Sequence, residues 1–144
     1  MKTQNYNNHV RMHPIYHYVL SLLVLASLIL AIMNVINALR AGENILQSLT
    51  LLLMAMSFII TFILLRFYPL RAQDRAIRAE ENLRHYVLTG KTLDPNLTMG
   101  QIVALRFASD NEFPSLSEKA VEKNLNPKEI KNMIENWRGD FTRV

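Results

Sequence analysis

Tyr18 to Leu39 and Asn44 to Leu65 are two uncharged runs of 22 residues each, rich in Leu, Ile, Val, Met and Ala, with charged residues on either side. At a rise of about 1.5 Å per residue each makes a helix roughly 33 Å long, close to the ~30 Å hydrocarbon thickness of a bilayer. The five residues Arg40-Ala41-Gly42-Glu43-Asn44 join them, a link so short that the two helices must be antiparallel neighbours. A transmembrane helical hairpin is therefore expected, with spans over about 16–39 and 45–68.

The first run is too long for the apolar segment of a signal peptide and no small-x-small cleavage pattern follows it, so it is expected to be retained. About 55 residues remain after Lys91, close to the lower limit for a separate core. No cysteine is present, which excludes disulfides, thiolate nucleophiles and thiolate-ligated metals.

The net charge of +4 is distributed unevenly. Lys2 and Arg11 precede the first span without an acid, and Arg66 to Lys91 holds six bases against three acids. Residues 92 to 144 hold seven bases against eight acids. Because Lys and Arg beside spans stay in the cytoplasm, both termini are expected there, with residues 40–44 outside. Tyr16, Tyr18, Phe67 and Tyr68 are suited to anchor the inner interface.

Heptad spacing suggests which faces meet in the hairpin. Small and polar residues recur at 27, 31 and 34 in the first span and at 50, 57 and 61 in the second, as close packing in lipid favours. With the turn at Gly42, the expected pairs are Ser27 with Ser57, Ala31 with Met54, and Asn34 with Thr50. Pro14 suits the first turn of the first helix, and Pro69 marks a kink or break after the second span.

Residues 71–90 read as an amphipathic juxtamembrane helix. Its apolar stripe is Ala72, Ala76, Ala79, Leu83 and Tyr86, and Asp74–Arg78, Glu80–Arg84 and Glu81–His85 form acid-first pairs four residues apart. Gly90 ends it. Residues 91–144 read as a small three-helix domain. Its helices open at the Thr98 to Gln101 capping box, at Pro114 and at Asn126-Pro127-Lys128-Glu129, and extend to about Ser109, Asn124 and Arg138. Ile102, Leu105, Leu116, Val121, Ile130, Ile134 and Trp137 supply a shared core. Residues 1–14 read as a loosely ordered polar arm, and no segment alternates as a strand does.

Chemistry-bearing constellations are sparse. Arg66, Arg71, Arg75, Arg78 and Arg84 are candidate contacts to lipid headgroups or a protein partner, as is Trp137, although interleaved acids dilute the basic patch. His9, His13 and His17 recur every four residues, but Pro14 interrupts the helix and no acid or thiol completes a metal site. His85 beside Glu81 lacks a nucleophile or phosphate-binding loop, so no catalytic residue, cofactor or small-molecule substrate is expected. Ala120, Asn124, Leu125, Ile130 and Met133 have helix-turn-helix spacing. Residues 111–144 nonetheless balance six bases with six acids, a poor match to phosphates, and nucleic acid is not the expected partner.

The run Phe67-Tyr68-Pro69-Leu70-Arg71-Ala72-Gln73-Asp74-Arg75-Ala76-Ile77-Arg78-Ala79-Glu80-Glu81-Asn82-Leu83-Arg84-His85, with Leu105 to Asp110 and Pro127 to Lys131, resembles a family of small bacterial membrane proteins catalogued as a domain of unknown function. That resemblance spans essentially the whole chain. It implies a bacterial inner-membrane setting and brings no activity or site residue with it. The expectation is an all-α, non-enzymatic membrane accessory or scaffold subunit that binds lipids and protein partners or self-associates. Alternatives are a homo-oligomeric pore lined by Ser27, Asn34, Ser57 and Thr61, and a membrane-tethered helix-turn-helix regulator.

Overall fold

The computed structural model describes residues 4–6, 8 and 12–140. They are all-helical, without a β-strand, and divide into two compact units. One unit is Met12–Pro69. The other runs from Leu70 to the C-terminal end and includes the described residues near the N-terminus, Gln4–Tyr6 and Asn8.

In the first unit a π-helical segment, Ile15–Leu20, leads directly into α1, Ser21–Ala41. Pro14 sits at the start with helical dihedrals, where its missing N–H leaves no bond unmade. Gly42 ends α1 in the left-handed conformation at φ 73°, its N–H donating to the Ala38 carbonyl at 2.9 Å. A side chain there would strain the backbone, so glycine at this position fixes the turn. Asn44 also has positive φ, and α2, Ile45–Thr89, begins at the next residue.

Both apolar helices are long enough and apolar enough to cross a membrane, and only 6% and 11% of their most apolar windows is buried. Among the described residues of this unit, Ala31, Ala38, Ser48 and Ala55 are the buried ones. All four are small, which lets helix backbones approach closely. At the other end of the hairpin the Tyr16 hydroxyl donates to the Phe62 carbonyl at 2.6 Å, and the two rings stack 4.6 Å apart.

This seam differs from the expected one at Asn34 on the first helix and at all three positions on the second. Ala31 is buried and Ser27 half-buried, but Asn34, Thr50, Met54 and Ser57 are exposed. The physical reason is local. Thr50, Ser57 and Thr61 each donate to the carbonyl four residues back, at 2.9 Å, and so need no partner across the hairpin. Ser48, whose hydroxyl likewise donates within its own helix, and Ala55 occupy the buried positions instead.

α2 continues through Pro69, which lies inside the helix without ending it. Leu70–Thr89 of α2 belongs to the second unit, with α3 (Met99–Leu105), α4 (Phe113–Glu122) and α5 (Pro127–Asn132). Gly90 stops α2 at φ 75°, donating to the Tyr86 carbonyl. Both expected capping boxes form: Thr98 with Gln101 opens α3, and Asn126 with Glu129 opens α5. The helices are shorter than their sequence pattern suggests. α5 ends at Asn132 rather than near Arg138, and Trp137 instead makes an isolated bridge to Ala108.

The core of this unit gathers Ile77 from α2 with Leu93, Leu97, Ile102, Leu105, Phe107, Phe113, Leu116, Ala120, Ile130 and Ile134, and Val121 and Trp137 pack against it. The described part of the N-terminal arm is fastened here, since the Gln4 side-chain oxygen accepts the Asp140 N–H at 2.7 Å.

The hairpin seam makes a direct prediction. Ala55→Leu is expected to lower the unfolding free energy of the detergent-solubilised chain by about 1–3 kcal/mol through overpacking, whereas Ser57→Leu changes it by less than about 0.5 kcal/mol. Chemical denaturation followed by circular dichroism measures both.

Candidate functional site

A network of polar side chains lies on the face of α2 that meets the loops of the second unit, centred on Ile77, Glu81 and His85. These positions are four residues apart and all three are buried. The expected apolar stripe lies elsewhere on the helix: Ala72, Ala76, Ala79, Leu83 and Tyr86 are exposed. The helix therefore turns a polar face inward. It does so because that face alone carries the groups able to satisfy the loops packed against it.

Arg84 is the hub. Its guanidinium pairs with Glu81 at 2.9 Å and with Asp110 at 2.7 Å, donates to the Ala108 carbonyl at 2.7 Å, and lies 4.4 Å from the centre of the Phe113 ring. A planar fork with five donors can hold several acceptors at once, a role an ammonium group does not fill. Arg138 approaches the other Glu81 oxygen at 3.6 Å. The His85 ring lies edge-on to Phe113 while its Nδ1 is 2.7 Å from the Lys91 carbonyl. Asn82 accepts the Leu93 N–H at 2.9 Å, and Arg78 donates to the Leu97 carbonyl at 3.1 Å.

A second fastening closes the far side. The Glu112 carboxylate accepts both the N–H and the side-chain amide of Asn136, at 2.9 and 2.7 Å, and the N–H of Glu135 at 3.2 Å. Arg106, buried above the Phe107 ring, pairs with Asp140 at 3.2 Å. The Gln101 amide donates to the Leu125 carbonyl at 2.9 Å and to that of Ala120 at 3.4 Å, holding the turn between α4 and α5.

These contacts move two carboxyl groups in opposite directions. Burial raises the Glu81 carboxyl above its ordinary value, against the opposing pull of Arg84 and Arg138. Partial burial also acts to raise Glu112, but the hydrogen bonds from Asn136 and Glu135 outweigh it and hold this carboxyl below the ordinary range. Glu81 therefore contributes stability that is present below its ordinary value and is lost as pH rises through the raised one. The Glu112 contribution is present above its ordinary value and is lost as pH falls through the lowered one.

The structure separates the candidate contacts of the sequence reading. Arg71 and Arg75 are exposed and Arg66 is half-buried, but Arg84 is an internal clamp rather than a lipid contact. Its expected partner was Glu80, four residues back. The structure shows Glu81, three residues back, together with Asp110. Trp137 is half-buried, its ring 5.0 Å from Phe107, and serves as a lid on the core. Of the three histidines near the N-terminus, His9 lies outside the described residues, as do Lys2 and Arg11. Among the described residues no cluster of three or more His, Asp or Glu is placed to hold a metal.

The helix-turn-helix spacing corresponds to a real turn. Ala120 is fully buried, Asn124 has φ 46°, and Leu125 donates back to the Ala120 carbonyl. However, α5 has only six residues, Met133 is exposed, and Lys131 points to the Phe107 ring at 5.7 Å. A cleft of about 400 Å³ adjoins His85, lined also by Lys91, Asp94, Ser117, Glu118, Val121 and Glu122. Sequence reasoning missed the inward role of Arg84, Glu112 and Gln101, because their partners include side-chain and backbone groups distant in sequence that periodicity does not locate.

The chain belongs to a family of unknown function, DUF6526, which it matches over residues 1–144. No curated protein and no solved structure is significantly similar to it.

Arg84→Ala leaves Glu81 buried with a weaker partner and is expected to cost about 3 kcal/mol in the stability of the second unit. Glu112→Gln is expected to lower the melting temperature at pH 7, with the difference from wild type shrinking as pH falls through the lowered Glu112 value. Thermal unfolding of the full chain across pH 3–7 measures it.

Proposed function

We propose that the protein is a non-enzymatic scaffold or accessory subunit of the bacterial inner membrane, crossing it twice with both termini in the cytoplasm and holding a protein partner. The observation that carries this reading is the exposure of the two apolar helices. A core helix of a water-soluble protein is mostly buried, whereas these remain open over nine-tenths of their most apolar windows. Exposure on that scale is costly in water and requires lipid or protein cover. The excess of Lys and Arg before α1 and after residue 65 favours cytoplasmic termini.

Scaffolding is favoured over catalysis by how the polar groups are used. Glu81, Arg84, His85 and Glu112 are bonded to their own fold, and the exposed surface is mainly apolar helix. It is favoured over a pore because Ser27, Ser57 and Thr61 direct their hydroxyls to carbonyls of their own helices. It is favoured over nucleic-acid binding because residues 92–144 carry no basic excess.

The chain is expected to stay in the membrane pellet after alkaline extraction and to purify from mild detergent with a stoichiometric companion identified by mass spectrometry. Release into the supernatant would overturn the membrane assignment, and purification without any other protein would overturn the scaffold role. A reporter fused at Gly42 should be extracytoplasmic and one fused at the C-terminus cytoplasmic.

A further inference from the structure

The side of α2 that its own small helices leave open has the repeat of a two-stranded coiled coil. Ala72, Ala76, Ala79, Leu83 and Tyr86 follow steps of four and three residues, and all five are exposed. Leu83 is 63% exposed, Tyr86 55%, and the adjoining Val87 74%. The helix cannot rotate to hide them, because Ile77, Glu81 and His85 hold its opposite face in the core. Large exposed apolar side chains on a face fixed outward need a partner.

The flanking charges indicate which partner fits. Arg75 immediately precedes the seam residue Ala76, and Glu80 immediately follows Ala79, so the two occupy opposite edges of the seam. Both are exposed. In a parallel, in-register pair of identical helices, the residue at one edge faces the residue five positions later at the other edge of its partner. Arg75 of each copy then meets Glu80 of the other, and the two-fold symmetry makes this contact twice. An antiparallel pair sets like edges together and brings these charges no opposite partner.

We propose that the 72–86 face of α2 is a homodimer interface, on which a second copy of this chain packs in parallel with reciprocal Arg75–Glu80 ion pairs. The three alanines allow the axes to approach to about 8 Å, and Leu83 and Tyr86 supply most of the buried apolar area. The interface lies entirely within the second unit and uses no residue of the apolar hairpin. It does not depend on the scaffold role or on the membrane assignment.

The chain has no cysteine, so a single introduced thiol reports one position unambiguously. Full-length Ala72→Cys and Ala79→Cys are expected to form a disulfide-linked species of twice the chain mass under mild oxidation in mild detergent. Arg78→Cys, on the side where the native arginine reaches the Leu97 carbonyl, is expected not to. In the Ala79→Cys background, Arg75→Glu should lower the crosslinked fraction by about fivefold, and adding Glu80→Arg should restore it.

Several results would overturn the interface. These are crosslinking at Ala79 no greater than at Arg78, crosslinking at Ala79 without Ala72 as in an antiparallel pair, no restoration by the double charge swap, or an adduct with a different protein. Alkaline extraction of the same preparations reports membrane insertion separately.

Discussion

The Arg84 guanidinium is the interaction on which the second unit depends. It reaches three kinds of acceptor at once: the Glu81 carboxylate on its own helix, the Asp110 carboxylate across the loop, and the Ala108 carbonyl. Without it, the chain from Ala108 to Phe113 would present a backbone carbonyl and an acid to a helix face bearing another buried acid. Burial of that kind is tolerated only when charges and lone pairs are all matched. Through Glu81 the same cluster extends to Arg138, and through Phe113 to the edge of His85. A helix face with one aliphatic residue, Ile77, thus becomes the inward face.

This arrangement explains where the sequence was readable and where it was not. Features set by neighbouring residues were plain. The glycines at 42 and 90 take the positive φ that a helix terminus requires, and Thr98 with Gln101 and Asn126 with Glu129 form their reciprocal caps. The two long apolar helices and the all-helical class follow from composition and spacing alone. Core residues Ile102, Leu105, Leu116, Ile130 and Ile134 were legible because amphipathic periodicity marks them.

Whatever depends on a choice between two faces was not legible. The stripe from Ala72 to Tyr86 is the more apolar side of α2, and burial by hydrophobicity alone would turn it inward. Glu81 and Arg84 reverse that choice through partners 24 to 57 residues away in sequence, the Ala108 carbonyl and the Arg138 guanidinium, beyond the reach of any local pattern. The hairpin has the same ambiguity on a smaller scale. Ser48 and Ala55 compete with Thr50 and Ser57, and hydroxyl bonding to the preceding turn removes the polar advantage of the second pair. Helix ends were overestimated for a related reason: Glu112 draws the N–H groups of Glu135 and Asn136 out of any helical continuation of α5.

α2 is consequently a helix with two uses for its length. Ile45–Pro69 supplies an apolar surface long enough to cross a membrane, and Leu70–Thr89 supplies a polar face that organises the second unit and an apolar face left uncovered. Pro69 stands at the division and does not interrupt it, because only one N–H is missing and the neighbouring turns keep their own bonds. A reversed assignment of the second segment, with Ala72 to Tyr86 inward, would bury more apolar area. It would also expose Glu81 and His85 and strip Asp110 and the Ala108 carbonyl of their partner. The observed orientation keeps the Glu81 carboxylate and the Ala108 carbonyl on the Arg84 guanidinium, and a charged hydrogen bond of that kind is worth about 1.5–3 kcal/mol. The apolar face is left outward as a consequence of satisfying the polar one.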